Sequence, residues 1–347
     1  MFGFGRKTLY TRVYSDAILT EAWRKVKGGT EAAGVDDVTT AQFETQLFAN
    51  LKSLQEELRQ QRYYPQPVKR IYMEKTDGTR RPLGILTVRD RIVQRAVLEV
   101  IDPLFDRNFA ECSHGFRRGR SIHTALAHVT RLVEQQHGWL VDLDIAAFFE
   151  NIHLRTLFKL LKATIAETAL RHMLRAWLEV ETVVVERTGM QRREKARGLL
   201  QGGVLSPLFA NVYLDRFDQL ALKRGLQLVR YGDDIIVCCC TKAEAEAALK
   251  LIEKFLAKLH LTVNPRKTMI VHAEKGFRFL GEHLFLQTQQ NGAQRLAGWR
   301  AETSERPTPA LLPAMTSPAV PALPPSTTPP AVDVTVHSDS EEKVVLQ

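Results

Sequence analysis

The most constraining feature of this chain is the sequence YGDD at residues 231–234, which stands between the apolar runs LQLV and IIVCC. Apolar residues on both sides predict two strands joined by a tight hairpin turn, and Gly232 can adopt the positive φ that such a turn requires. The adjacent carboxylates of Asp233 and Asp234 resist simultaneous ionisation. The pattern therefore favours a divalent cation that acts on phosphates, although Gly-Asp and Asp-Asp are also ordinary turn residues.

A second acidic strand lies upstream, in the sequence GWLVDLDIAAFFENI. Val141, Leu143 and Ile145 alternate with Asp142 and Asp144, so both carboxylates face the same side of the strand. On a solvated surface this pattern would be unremarkable. If the strand neighbours the hairpin in one antiparallel sheet, three carboxylates converge and can hold two metal ions.

Further blocks surround these acids in a fixed order. They are RIYMEKTDGTRRPLGILTVRDRIVQRAV at 70–97, ECSHGFRRGRSIHTAL at 111–126, QGGVLSPLFANVYLDRFD at 201–218 and GFRFLGEHL from Gly276. Together with VDLDIAAFFENI and VRYGDD, they make the chain resemble a bacterial reverse transcriptase of the group II intron-like family over residues 10–290. The resemblance implies an RNA-directed DNA polymerase that extends a primer with dNTPs by two-metal phosphoryl transfer.

The predicted fold class is α+β, a right-hand polymerase with fingers and an antiparallel palm sheet covered by helices on one face. We expect a helical N-terminal extension at 1–64, fingers at 65–135, a palm with a fingers insertion and primer grip at 136–295, and a proline-rich disordered tail at 296–347. A helical thumb, usual in the family, is not evident. We therefore expect a truncated or thumbless enzyme, or a protein partner near that position.

Local patterns predict individual elements as well. Helical spacing predicts helices over 41–61, 88–100 and 243–260. Strands are predicted at 68–73, 81–86 and 261–263. Ser206 followed by Pro207 predicts a helix start, with the serine as its cap.

The resemblance assigns catalytic roles to four residues. Asp144 and Asp233 would bridge two magnesium ions, with manganese as an alternative, and Asp234 would supply the third carboxylate. Asp142 would support them or simply be solvated. Lys267 would protonate the leaving pyrophosphate, although most lysines in such turns are merely solvated.

The resemblance assigns binding of the incoming nucleotide to a second set of residues. Lys75 and Arg81 would clamp the triphosphate, with Arg80 as an alternative. Phe148 would exclude a ribose 2′ hydroxyl by shape, whereas core packing is the alternative role of a Phe pair. The loop that begins with Gln201 and Gly202 would lie against the nascent base pair, or would only cap a helix.

Nucleic-acid contacts are assigned to a third set. Arg117 and Arg120 would contact template phosphates, and the primer grip would comprise Gly276, Phe277, Leu280 and Gly281. The chain has a formal net charge of +9 and a pI near 9.4. Basic residues outnumber acidic ones by six between positions 62 and 120, which favours a polyanionic partner or reflects an ordinary basic surface. The isolated histidines His114 and His123 are expected to be structural.

Several alternatives remain open at this point. Gly232 stands where the family usually has alanine, and Gly-Asp-Asp is also typical of viral RNA-dependent RNA polymerases. The chain could therefore synthesise RNA or untemplated DNA, or be an inactive nucleic-acid-binding scaffold. The implied partners are an RNA template, a DNA or RNA primer and dNTPs, in a mobile-intron, CRISPR-associated or phage-defence context. The absence of a signal-peptide pattern or apolar span, and cysteines without a paired framework, favour the cytoplasm.

Overall fold

The computed structural model describes residues 8–74, 78, 80–185, 191–195, 197–288 and 294–299. Lys75 lies outside the described residues, as does the predicted tail from residue 300 onward. Two predicted assignments, a triphosphate contact and a disordered segment, therefore stay predictions.

The described residues form eleven helices and eleven strands. The helices are α1 Leu9–Val13, α2 Asp16–Lys27, α3 Thr40–Glu44, α4 Leu47–Arg59, α5 Val88–Asp106, α6 Ile122–Glu134, α7 Phe148–Asn151, α8 Leu154–Thr164, α9 Thr168–Leu178, α10 Ser206–Lys223 and α11 Lys242–Lys258. The strands are β1 Val68–Glu74, β2 Arg80–Ile85, β3 Trp139–Leu143, β4 Glu181–Val185, β5 Gln191–Lys195, β6 Gln227–Tyr231, β7 Asp234–Cys239, β8 Met269–His272, β9 Phe277–Phe279, β10 Glu282–Thr288 and β11 Gln294–Trp299.

The N-terminal extension is helical, as predicted, but the single helix expected over 41–61 is two helices. Gln46 leaves the helical region of φ/ψ space and separates α3 from α4. The side-chain amide of Asn50 donates to the carbonyl oxygen of Phe43 at 2.8 Å. This bond satisfies a carbonyl at the end of α3 and stabilises the break.

The fingers contain a four-stranded sheet with the order β2-β1-β4-β5. β1 and β2 pair as the predicted hairpin, and β1 also pairs in parallel with β4. The helix predicted over 88–100 continues to Asp106, and Thr87 caps its start by accepting a hydrogen bond from the backbone N–H of Asp90. A strand from the insertion thus completes the fingers sheet, which local patterns did not predict.

The palm is an antiparallel sheet with the order β6-β7-β3-β8. Val141 and Leu143 point from one face into the core formed with α10 and α11, whereas Leu140 points from the other face toward α6 and the small sheet β11-β10-β9. Helices cover one face of the sheet, as predicted, and α6 also packs on the second face. Asp142, Asp144 and Asp234 lie at the edge of that second face, where β3 ends and β7 begins.

Two local predictions also need correction. Ser206 is the first residue of α10 and not its cap, since its hydroxyl donates to the carbonyl oxygen of Leu200 at 2.5 Å. The predicted strand at 261–263 forms only an isolated bridge between Val263 and Ile145, and the next strand begins at Met269. Pro207 in the first turn of α10 and the helix at 242–258 agree with prediction.

No helix within the part of the chain that the structure describes is both long and apolar enough to cross a membrane.

Candidate active site

The YGDD sequence forms the predicted hairpin. Tyr231, the last residue of β6, pairs with Asp234, the first residue of β7, and Gly232 and Asp233 form the turn between them. Gly232 has a φ of 67°, which glycine adopts without the steric cost of a side chain. The hairpin therefore presents Asp233 at its tip and Asp234 at the start of β7.

The upstream acidic strand is a direct neighbour of this hairpin. β3 pairs with β7 in antiparallel register, with Asp142 opposite Ile236 and Leu143 opposite Ile235. Asp144 directly follows Leu143, the last paired residue of β3, and the charges of Asp142 and Asp144 both act on Asp234. The two acidic segments are thus neighbours in one antiparallel sheet, which is the condition under which the sequence predicted that their carboxylates converge.

The acids perturb one another. Loss of contact with water raises the pKa of Asp234 to about 6, and repulsion from Asp233, Asp142 and Asp144 adds to the increase. Burial raises the pKa of Asp142 to about 6, with a contribution from Asp144. Burial also raises the pKa of Asp233, which nearby Arg81 opposes. Such a cluster favours either a proton or a cation.

The donor set fits a hard divalent metal. Carboxylate oxygens on adjacent strands are the ligands that magnesium uses, and magnesium in such sites retains several waters and substrate phosphates. Within the described ranges, no three His, Cys, Asp or Glu side chains are grouped closely enough to form a metal site from protein atoms alone.

A buried arginine supports the hairpin from the opposite face, and sequence reasoning missed it. The Arg230 side chain is 0 % exposed and pairs with Asp218 of α10 at 2.6 Å, where both side chains are fully buried. Its Nη1 also donates to the carbonyl oxygen of Gly232 at 2.9 Å and to the side chain of Asn211 at 2.8 Å. The turn that carries Asp233 is thus tied to a helix.

The segment at 112–115 packs against the same hairpin. The backbone N–H of His114 donates to the carbonyl oxygen of Arg230 at 2.7 Å, and Arg230 in turn donates to the carbonyl oxygen of Cys112. A side chain at Gly115 would come within 2.4 Å of the backbone nitrogen of Gly232, so only glycine fits there. The fingers block at 111–126 therefore buttresses the palm turn.

Within the described residues, the predicted nucleotide contacts fall into two groups. Arg81 Nε donates to the side-chain oxygen of Gln201 at 2.6 Å, and Gly202 packs so closely on β2 that a side chain would meet the carbonyl oxygen of Gly84 at 2.5 Å. The structure thus brings Arg81, Gln201 and Gly202 together beside the acids. Phe148 is only 3 % exposed and lies in the core, which favours the packing role that the sequence left open.

Lys267 is exposed on the turn at 264–268, which lies against the end of β3. Its backbone N–H donates to the carbonyl oxygen of Asn264 at 3.2 Å. The side chain is therefore free of the core and lies on the same turn as the residue that contacts Asp144, described below.

The predicted template contacts differ from one another. Arg117 is buried and donates to Asp106 at 2.7 Å and to the carbonyl oxygens of Ala110 and Ser113, so its guanidinium is committed to the protein. The expected phosphate contact at Arg117 finds no support, because these contacts leave it no free face. Arg120 is partly exposed and pairs with Glu111, an exposed carboxylate that phosphate could displace.

The primer-grip segment forms a hairpin, as its sequence suggested. Phe277 is buried in β9, and Leu280 and Gly281 form the turn to β10 with φ of 52° and 82°. Gly276 has a φ of 77° just before β9. The hairpin is thus present, whereas its contact with a primer stays a prediction.

The structural role predicted for His114 is confirmed. The ring is buried and hydrogen-bonds to Thr124 and to the ring of His128. Burial and nearby cations lower the pKa of His114 to about 4, which keeps it neutral.

Comparison with known proteins places these features in a family. Residues 73–284 match the family described as "Reverse transcriptase (RNA-dependent DNA polymerase)". The chain is 31 % identical to Protein YkfC of Escherichia coli over 83 % of its own length and 84 % of that protein. It is 32 % identical to the group II intron-encoded protein LtrA of Lactococcus lactis over 60 % of its own length, but spans only 34 % of LtrA.

A solved structure gives the same fold. Apo telomerase from Candida tropicalis superposes with a TM-score of 0.52 at 12 % identity, over 64 % of this chain and 47 % of the telomerase chain. At this identity the likeness concerns the fold alone.

Proposed function

The chain belongs to the reverse transcriptase (RNA-dependent DNA polymerase) family, and from this premise we propose that it extends a primer on an RNA template with dNTPs, using two magnesium ions held by Asp144, Asp233 and Asp234. The observation that carries the proposal is the pairing of β3 with β7, which brings Asp144, just past the end of β3, into the neighbourhood of Asp234 at the start of β7. Burial and repulsion between the carboxylates raise the pKa values of Asp233 and Asp234, and this supports the proposal because such a cluster favours a bound cation.

Reverse transcriptases use divalent metals, which when bound neutralise phosphate charge and activate the primer hydroxyl. The three carboxylates would bind these ions beside the position of the primer end. Arg81 would grip the triphosphate, and its bond to Gln201 orients the guanidinium toward the acids. Lys267 would deliver a proton to the leaving pyrophosphate.

The proposed partners are an RNA template and a DNA or RNA primer. Arg120 and the hairpin at 276–281 would contact them, and a further protein would bind near that hairpin. The cytoplasm, where RNA and dNTPs are both present, is the proposed location. The similarity to LtrA, named as a group II intron-encoded protein, supports RNA as the template.

A primer-extension assay tests this function. Wild type should incorporate dNTPs on an RNA template only with a divalent metal, and NTPs should be poor substrates. Asp144→Asn should abolish incorporation, whereas Glu253→Gln, which removes an exposed carboxylate from α11, should not. Extension with NTPs alone, or equal activity in Asp144→Asn, would overturn the proposal.

A further inference from the structure

We propose that Asn264 is a positioning residue for Asp144, and that it fixes one carboxylate oxygen so that the other is presented to the metal. The inference rests on the proposed function, because it concerns the geometry of a metal ligand. Nothing in the family resemblance assigned a role to this asparagine.

The contact is direct and joins distant parts of the chain. Asn264 Nδ2 donates to Asp144 Oδ2 at 2.9 Å. The backbone N–H of Asn264 donates to the carbonyl oxygen of Asp144 at 2.8 Å. The backbone N–H of Asp144 donates to Thr268 Oγ1 at 3.1 Å. Side chain, carbonyl and amide of one residue are therefore all held by the same turn.

Asp144 needs this support because the sheet ends before it. β3 ends at Leu143, and its pairing with β8 does not extend past Asp142 opposite Met269. Beyond that point Ile145 forms a bridge with Val263, and the N–H of Ala146 donates to the carbonyl oxygen of Thr262 at 2.9 Å. These two partners directly precede the turn at 264–268, so the turn and the residues before it take the place of the missing strand partner.

The two ends of the Asn264 amide have separate tasks. Its Oδ1 accepts a hydrogen bond from the backbone N–H of Arg266 at 3.2 Å, which closes the turn itself. Its Nδ2 reaches out of the turn to Asp144. A donor on one oxygen fixes the orientation of the Asp144 carboxylate, whereas the second oxygen has no protein donor among the contacts of the described residues.

The separation of tasks allows a matched pair of variants. Asn264→Ser retains a side-chain oxygen that can close the turn but is too short to reach Asp144. Asn264→Ala loses both contacts. Arg266→Gln changes an exposed residue of the same turn and serves as the control.

Binding of Mn2+ to the full chain without substrate, followed by electron paramagnetic resonance, is the first readout. Loss of a partner that orients a metal ligand typically costs 10- to 100-fold, so Asn264→Ser and Asn264→Ala should both weaken Mn2+ binding by roughly 10-fold or more. Arg266→Gln should bind like wild type. In primer extension the two Asn264 variants should need more Mg2+ for half-maximal rate, with the KM for dNTP nearly unchanged.

The outcomes separate the two proposals. If Asn264→Ser binds Mn2+ like wild type while Asp233→Asn does not bind it, the asparagine only closes its turn and the positioning role is wrong, whereas the proposed function stands. A wild-type chain that neither binds Mn2+ nor makes DNA would overturn both. Equal, large losses in Asn264→Ser and Asn264→Ala, with unchanged thermal unfolding, would establish the positioning role.

Discussion

The two faces of the β6–β7 hairpin differ in how their charged side chains are arranged. On one face burial and repulsion from three neighbouring acids raise the pKa of Asp234 to about 6. On the other face Arg230 is fully buried, and its charge is balanced by Asp218. The functional face carries several neighbouring carboxylates that a metal can bind, whereas on the supporting face Asp218 is paired with Arg230.

The contrast suggests why a charged pair is present in the core. A buried ion pair is often no more stabilising than apolar residues of similar volume. Here the guanidinium also donates to the carbonyl oxygen of Gly232, a contact that no apolar side chain can make. The pair therefore fixes the position of the turn. The turn in turn holds Asp233 near the other acids despite their mutual repulsion.

The largest expected effect is on the functional face. Asp233→Asn should lower dNTP incorporation by roughly three orders of magnitude, because a metal ligand is lost. Its thermal stability without metal should equal or exceed that of wild type, because burial and repulsion penalise the charged form. Primer extension and thermal unfolding measure the two effects, and a variant that is inactive because it is unfolded would contradict this account.

A large effect on stability is expected on the supporting face. Asp218→Asn should cost about 3–5 kcal/mol, because it leaves the Arg230 charge buried without its partner. The double change Arg230→Met with Asp218→Leu should recover most of that stability but not the activity, because the Gly232 carbonyl is no longer held. Chemical denaturation and primer extension separate the two. Recovery of both together would show that the pair does not position the turn.

A smaller effect is expected at the turn itself. Gly232→Ala should cost about 1 kcal/mol of stability, because an L-residue is disfavoured at a φ of 67°. The added Cβ would also lie 3.1 Å from the ring of Phe116, which is exposed and can shift. Chemical denaturation of Gly232→Ala alone and with Phe116→Ala distinguishes the backbone cost from the contact. If Phe116→Ala removes the whole cost, the backbone contributes nothing.

The smallest effect is a dependence of stability on pH. The pKa of Asp142 is about 6 in the folded chain, above its ordinary value of 3.8. This carboxyl therefore contributes stability that is fully present below pH 3.8 and is lost as the pH rises through 6. In EDTA, Asp142→Asn should be more stable than wild type at pH 7.5, and the difference should shrink as the pH falls. An unchanged difference across that interval would contradict the assigned cause.

Much of the functional face followed from the sequence. Alternation of Val141 and Leu143 with the acids fixes which side each carboxylate faces, and the apolar runs around YGDD identify the hairpin. Convergence of the two segments could be predicted only conditionally, because strand pairing is a tertiary property. The register of β3 with β7 supplied that step.

The supporting contacts could not be predicted in the same way. Arg230 resembles any surface arginine until Asp218, far along α10, is known to lie beneath it. Counting charges between positions 62 and 120 predicted a basic surface, yet the guanidinium of Arg117 is bound to Asp106 within the protein. Asn264 followed by Pro265 predicts a turn, but the contact of Asn264 with Asp144 joins residues far apart in sequence. Sequence patterns predict which face of a strand or helix a side chain lies on, whereas such contacts depend on which elements pack together.

The most direct test of the shared metal site is iron-mediated backbone cleavage. Fe2+ bound in place of Mg2+ generates radicals that cut the nearest chain, and the fragments can be mapped by mass spectrometry. We expect cuts near both Asp144 and Asp233, abolished together by excess Mg2+ and by Asp233→Asn. Cleavage near only one of these residues, or at neither, would contradict the claim that the strand and the hairpin hold the same ions.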